Sequence, residues 1–400
     1  MSKEQHGNFT LIKNDDVKKS DKASEHAILW HRVAKVSVVI AAIALLVAIF
    51  VLLNRDYQNT TYDDYEIISK SVRQDSDTSE YLAYNGHVLK YSKDGAEAFD
   101  KTDSVLLNVT YEMQDPNVAT CGDYVALGDK RGTQIIVTDS AENLNRIETK
   151  MPVLNFAVSK QGVVAAVLED TGFSWIKLYD KTGTELASVR CSMSESGFPV
   201  DISLSESGIL LAVSYARVEG EKIKSSVAFY NFGDVGANES DHYMSGYDFE
   251  DTIIPRVHFL DDSTAFAMGD NRLIFFSGQQ KPEKIREYDF DRQISGVYYG
   301  DGRIALIYRA MGDDRYTADV YNLSGEVVLN QRFDLDYSDV QVTKDRLIIY
   351  NDTHCLIYNM NGKLKFDGLF DDPTLLCAPT SNSREFVLIN RETAQLIRLT

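Results

Sequence analysis

The chain has 400 residues, 60 acidic against 41 basic, for a net charge of −19. Such an acidic balance disfavours nucleic acid as a partner, because contacting phosphates needs a basic face. It suits solubility and repulsion from anionic envelope polymers.

Residues 1–35 carry seven basic and five acidic side chains. Taking that tail's +2 from the whole-chain −19 leaves −21 for the remainder. The tail is too polar to bury a core, so it is expected to be a disordered cytoplasmic segment. Trp30 and its basic neighbours would then sit at the inner headgroup level.

Residues 36–53 read VSVVIAAIALLVAIFVLL, 18 residues with no charge. In hydrocarbon the backbone must satisfy its own hydrogen bonds, so such a run is stable as a helix. Its length would be about 27 Å, near the roughly 30 Å of a bilayer core. A cleaved signal peptide should have a shorter apolar region and end at a small-residue site. Here the run ends in FVLLN at 50–54, and no cysteine follows to carry a lipid. A single transmembrane helix is therefore expected. Lys18, Lys19, Lys22, Arg32 and Lys35 crowd the amino-terminal flank, against Arg55, Lys70 and Arg73 beyond. That bias keeps the amino terminus cytoplasmic and exports the bulk of the chain.

Residues 54–79 read as a juxtamembrane spacer holding one candidate strand at 65–72. From residue 80 the chain repeats. Each copy has an apolar strand, a tight polar turn, a second apolar strand, a third ending in an aromatic, a second turn and a polar outer strand. The first turns align as Gly86, Gly122, Gly162, Gly208, Ser263, Gly302, Arg346 and Ser383, at gaps of 36, 40, 46, 55, 39, 44 and 37 residues. The second turn recurs as FDKTD at 99–103, YDKTG at 179–183, YNLSG at 321–325 and YNMNG at 358–362. Glycine supplies a positive φ there, and Asp or Asn caps the turn backbone.

Four strands per copy, rich in β-branched and aromatic residues, predict an all-β chain: an eight-bladed β-propeller over 80–400, with seven blades as the alternative. One sheet cannot cover both of its apolar faces, whereas neighbours in a ring can. The eighth copy holds three strands, at 375–378, 385–389 and 395–399. The spare strand at 65–72 is expected to supply its fourth and join the two ends.

Cys121, Cys191, Cys355 and Cys377 lie in or beside apolar strands with no C-x-x-C pair, so neither a zinc site nor a redox motif is written. Buried thiols are expected, with a Cys355–Cys377 bridge as the alternative. His87, His242, His258 and His354 show no metal-ligand spacing and read as surface or satisfied histidines. The doublets at Asp261–Asp262, Asp313–Asp314 and Asp371–Asp372 lack the alternating spacing of a calcium loop and sit at predicted turns. With only Trp30 and Trp175 in the chain, the tryptophan boxes of sialidase-type and quinone-dependent propellers are missing. No nucleophile elbow, zincin motif or Walker loop occurs. Gly233 to Gly236 is glycine-rich, but no helix is expected after it to cradle a phosphate. No catalytic residue, cofactor or metal is expected, and the sequence names no ligand-binding residue.

Several segments are distinctive: FPVDISLSESG at 198–208, AFYNFGDVG at 228–236, PRVHFL at 255–260 and NGKLKF at 361–366. Through them the chain, from about Tyr62 to its end, resembles a family of uncharacterised, mostly Gram-positive bacterial membrane proteins. The resemblance implies one amino-terminal helix and an extracellular WD-repeat-like propeller, and brings no activity. The expected function is a membrane-anchored binding or scaffolding module for a protein or cell-envelope partner. A carboxylate pair from distant blades leaves no local pattern, so a carbohydrate-active enzyme with channel carboxylates is the alternative. A sensor ranks last, because the tail has no domain to receive a signal.

Overall fold

The computed structural model describes residues 37–49, 60–73, 78–140, 143–220, 222–250, 252–309 and 315–400. The chain forms two compact units, residues 1–60 and 61–400. In the first unit, residues 37–49 form a helix with exposed apolar side chains. The tail expected to be cytoplasmic and the ends of the expected membrane span lie outside the described residues. Among the described residues no helix is long and apolar enough to cross a membrane.

The second unit contains eight four-stranded antiparallel sheets among its described residues. Blades 1 to 7 cover residues 80–110, 116–148, 153–192, 198–250, 256–289, 294–333 and 339–369, each running in chain order from inner to outer strand. Blade 8 takes its inner three strands from Thr374–Pro379, Glu385–Asn390 and Thr393–Leu399, and its outer strand from Tyr65–Val72. Eight blades, rather than seven, complete the ring. The 55-residue gap is filled by two ten-residue strands, Leu210–Glu219 and Lys222–Asn231, and by two single 3-10 turns at Gly236–Asn238 and Ser240–His242.

The ring follows from burial. Second strands such as Thr264–Met268 and Arg346–Tyr350 are buried on both sides. Eight apolar clusters each join two neighbouring blades. One packs Leu356 of blade 7 and Leu347 against Leu329 and Val320 of blade 6. Another packs Val88 and Phe99 of blade 1 against Leu376, Val387 and Ile389 of blade 8. Removing this apolar area from water is the main stabilising term.

Several inner hairpin turns are braced by a short polar side chain. Ser159 Oγ accepts from Val163 N at 3.1 Å, Ser205 Oγ from Leu210 N at 3.0 Å, and Asp261 Oδ1 from Ser263 N at 2.8 Å. In the outer turns, Asp100, Asp180, Asn322 and Asn359 each accept two backbone N–H bonds at 2.8–3.1 Å. The fifth position of those turns has φ of 63° at Asp103 and 71–90° at Gly183, Gly325 and Gly362.

The seam between the chain ends is densely tied. Tyr62 N donates to Lys365 O of blade 7 at 2.8 Å, and Thr400 N donates to Asp64 O at 3.0 Å. Just past the closing strand, Arg73 pairs with Glu97 and Asp103 of blade 1 at 2.8 Å each, its guanidinium 4.0 Å over Phe99. Buried Glu385 bridges Lys101 of blade 1 at 2.9 Å and Arg398 of blade 8 at 3.0 Å.

Candidate functional site

The inner strands of blades 3 to 6 bring a polar group together. A β-bulge interrupts three of them, between Val153 and Asn155, between Pro199 and Asp201, and between Ile294 and Gly296. A bulge inserts one residue and re-aims those that follow. Asn155 Nδ2 donates to Asp201 Oδ1 at 2.9 Å, and Val257 N donates to Asp201 Oδ2 at 2.9 Å. One step along, Phe259 N donates to Ser203 Oγ at 2.9 Å. Blades 3, 4 and 5 are thus laced through their inner strands. Burial pushes the Asp201 carboxyl up, against the hydrogen bonds from Val257 and Asn155 and the charge of Arg256.

Beside this lacing, His258 lies 4.1 Å from the Tyr299 ring, centroid to centroid, with Phe266 at 6.0 Å. Burial, with a smaller contribution from Arg256, lowers His258 to about 4, so its imidazole is neutral at physiological pH. Asp339 of blade 7 is also engaged, accepting from Gln341 Nε2 at 2.9 Å and from Tyr350 OH at 2.8 Å. These groups brace the inner ring. Both oxygens of Asp201 are occupied.

Sequence reasoning did not single out this group, though a signal was present. Counting seven residues back from the first-turn position lands on Asn155, Asp201, Arg256 and Asp339 in copies three, four, five and seven. A polar residue recurring inside an apolar strand is a candidate for convergence.

A second feature projects from blade 4. Its middle hairpin pairs as far as Glu219 with Lys222, while the inner strand of that blade reaches only Ala216. On the overhang, Val218 and Ile223 are directly paired and are 67% and 48% exposed. Phe198, paired with Ala216, lies on the same face by the two-residue alternation and is 42% exposed. The linker carrying exposed Ile253 is pinned against that face, because Ile254 N donates to Ser225 Oγ at 3.1 Å and Ser214 Oγ donates to Ile254 O at 2.5 Å. The opposite face holds Arg217 and Lys224 in ion pairs with Glu219, Asp248 and Glu250.

The residues weighed from sequence fall apart in space. His354 bonds Asp367 at 2.7 Å, and His87 and His242 are partly exposed, each with a buried Nδ1 that has no hydrogen-bond partner in the protein. Asp261 caps its own turn and Asp262 accepts from Ser207 N at 2.6 Å. Asp313–Asp314 lies outside the described residues. Gly233–Gly236 leads into the two 3-10 turns rather than a longer helix. All four cysteines are thiols, with Cys121 only half-buried. Among the described residues no cluster of three or more His, Cys, Asp or Glu is placed to hold a metal ion.

Several solved structures are similar at low identity. BamB from Moraxella catarrhalis is 11% identical with a TM-score of 0.51, over 84% of this chain and all of that one. The WD40 domain of Neurospora crassa Pan2 is 8% identical with a TM-score of 0.43, over 85% of this chain and 97% of that one. Hsv2p from Kluyveromyces lactis is 10% identical with a TM-score of 0.45, over 78% of this chain and 98% of that one. At that identity the likeness to BamB is one of fold alone. Comparison with curated proteins finds no significant match. A family profile does match, over residues 58–399, and the chain belongs to that family, described as a family of unknown function (DUF5711).

Proposed function

We propose that the protein is a membrane-tethered, extracytoplasmic binding or scaffolding module whose working surface is the blade 4 overhang. The observation that carries the reading is the exposed apolar face of Phe198, Val218 and Ile223 on a hairpin that extends beyond its own sheet. Exposed apolar side chains grouped on a projecting element are characteristic of protein-binding surfaces. The inner ring supports the same reading, since its carboxylates Asp201 and Asp339 are engaged in bracing hydrogen bonds. The uncharged run at 36–53 and the basic bias before it support a tether with the propeller outside the cell.

The test is site-directed crosslinking in membranes, with a photoreactive residue at position 198, on the same face as Val218 and Ile223. A discrete protein adduct is expected, lost in the Val218→Asp, Ile223→Asp double variant. Those sites are exposed, so the variant should keep the wild-type melting temperature to within about 2 °C. An adduct that survives the double substitution would refute the assigned surface. Protease protection of the propeller in intact cells would refute the orientation.

A further inference from the structure

Cys355 lies on the third strand of blade 7, His354–Asn359, and Cys377 on the inner strand of blade 8, Thr374–Pro379. Both are 1% exposed, sealed in the apolar cluster that joins these blades with Tyr62, Phe366 and Phe386. The two side chains belong to that one cluster, and Cys377 adds to burial in raising the Cys355 thiol. The other cysteines are placed elsewhere. Cys191 packs between blades 3 and 4, 3.6 Å from Tyr215 OH, and Cys121 ends the inner strand of blade 2.

We infer that Cys355 and Cys377 form a covalent modification site, oxidised to a disulfide that staples blade 7 to blade 8 when the chain folds in a thiol-oxidising environment. The oxidant is a small disulfide of the glutathione class. One cysteine thiolate attacks it, releasing one glutathione thiol and leaving a mixed disulfide. The second cysteine attacks that bond and releases the second thiol. Two protein thiols are oxidised, and one disulfide is reduced to two thiols.

Timing follows from burial. In the folded ring, burial raises the Cys355 thiol well above its ordinary range, so little thiolate is present to react. Both side chains are all but closed off from solvent. Oxidation therefore belongs to folding, before blade 8 docks on blade 7, and the finished bond is shielded from reductant. The bond would reinforce the blade completed by the amino-terminal strand, where the ring depends on its two ends meeting.

The inference is independent of the proposed location and partner, because the chemistry is read in vitro. The full chain, in mild detergent, is unfolded with reductant and refolded in oxidised or reduced glutathione, then alkylated in denaturant. Oxidative refolding should block two of the four thiols, lower the intact mass by two hydrogens and give a single linked peptide pair, Cys355 with Cys377. The oxidised form should melt about 3–6 °C above the reduced form. A Cys121→Ser, Cys191→Ser double variant should form the same bridge. Four alkylatable thiols after oxidative refolding, a bridge mapped to another pair, or equal melting temperatures would overturn the inference.

Discussion

Arg73 offers the sharpest test of how the ring is held shut. Its side chain is 8% exposed and donates to Glu97 through one terminal nitrogen and to Asp103 through the other, while its face covers Phe99. Exposed ion pairs contribute about 0–1 kcal/mol, whereas breaking a buried pair costs about 3–5 kcal/mol. The two acceptors keep 27% and 37% of their side-chain surface, so the Arg73 pairs fall between, at about 2 kcal/mol. Loss of the contact with the Phe99 face adds about 0.5–1 kcal/mol. Arg73→Ala should therefore cost about 2–3 kcal/mol in denaturant unfolding. Arg73→Lys keeps the charge but not the two-pronged geometry and should lose about half as much. The loss should be local first. Hydrogen exchange should accelerate in Tyr65–Val72 and its partner Thr393–Leu399 before it does in blade 3. A change in stability under about 0.5 kcal/mol, the ordinary range for surface substitutions, or faster exchange spread evenly around the ring, would refute the idea that this residue locks the seam.

Two further outcomes are expected. His258 has a folded pKa of about 4, below its unfolded value, so the unfolded chain binds more protons between these values. Stability should therefore be intact above about pH 6.5 and fall as the pH drops toward 4, with a ceiling of about 3 kcal/mol set by the size of the shift. His258→Gln should flatten that part of a melting-temperature profile against pH, and an unchanged slope would show that the imidazole does not titrate in this window. Gly236→Ala would place a Cβ 1.7 Å from Asn231 O. Asn231 also donates to Gln280 of blade 5 at 2.8 Å. The substitution should cost about 2–4 kcal/mol in urea unfolding, through displacement of that loop, and a shift below about 0.5 kcal/mol would place the loop outside the cooperative core.

Much of the ring was legible because its determinants are local. Turn residues sit at fixed offsets from strands of alternating burial, and each copy carries enough of them to be counted. Of the aromatics before the second turn, Phe99, Tyr179 and Tyr321 end their third strands and Tyr358 lies one residue from the end of its own. The strand at Tyr65–Val72 was visible as a spare beside a copy one strand short. The inner polar group was harder to see because bulges at its strands break the two-residue alternation that pattern reading depends on. The blade 4 overhang was hidden as an unexplained gap, since a longer hairpin and a longer loop lengthen a repeat equally.

By itself, the sequence determined the repeat, the class of sheet and the way the two ends could complete one blade. Those properties follow from hydrophobic period and turn chemistry, which act over a few residues. Only the tertiary structure decided that the ring has eight blades and not seven, that Asn155 meets Asp201, that Cys355 and Cys377 share one buried cluster, and that Val218 and Ile223 stand clear of the sheet. Such meetings join residues from different blades, or depend on where one strand stops beside another. They are set by the radius of the closed ring and the register of each hairpin, and no single repeat contains either quantity.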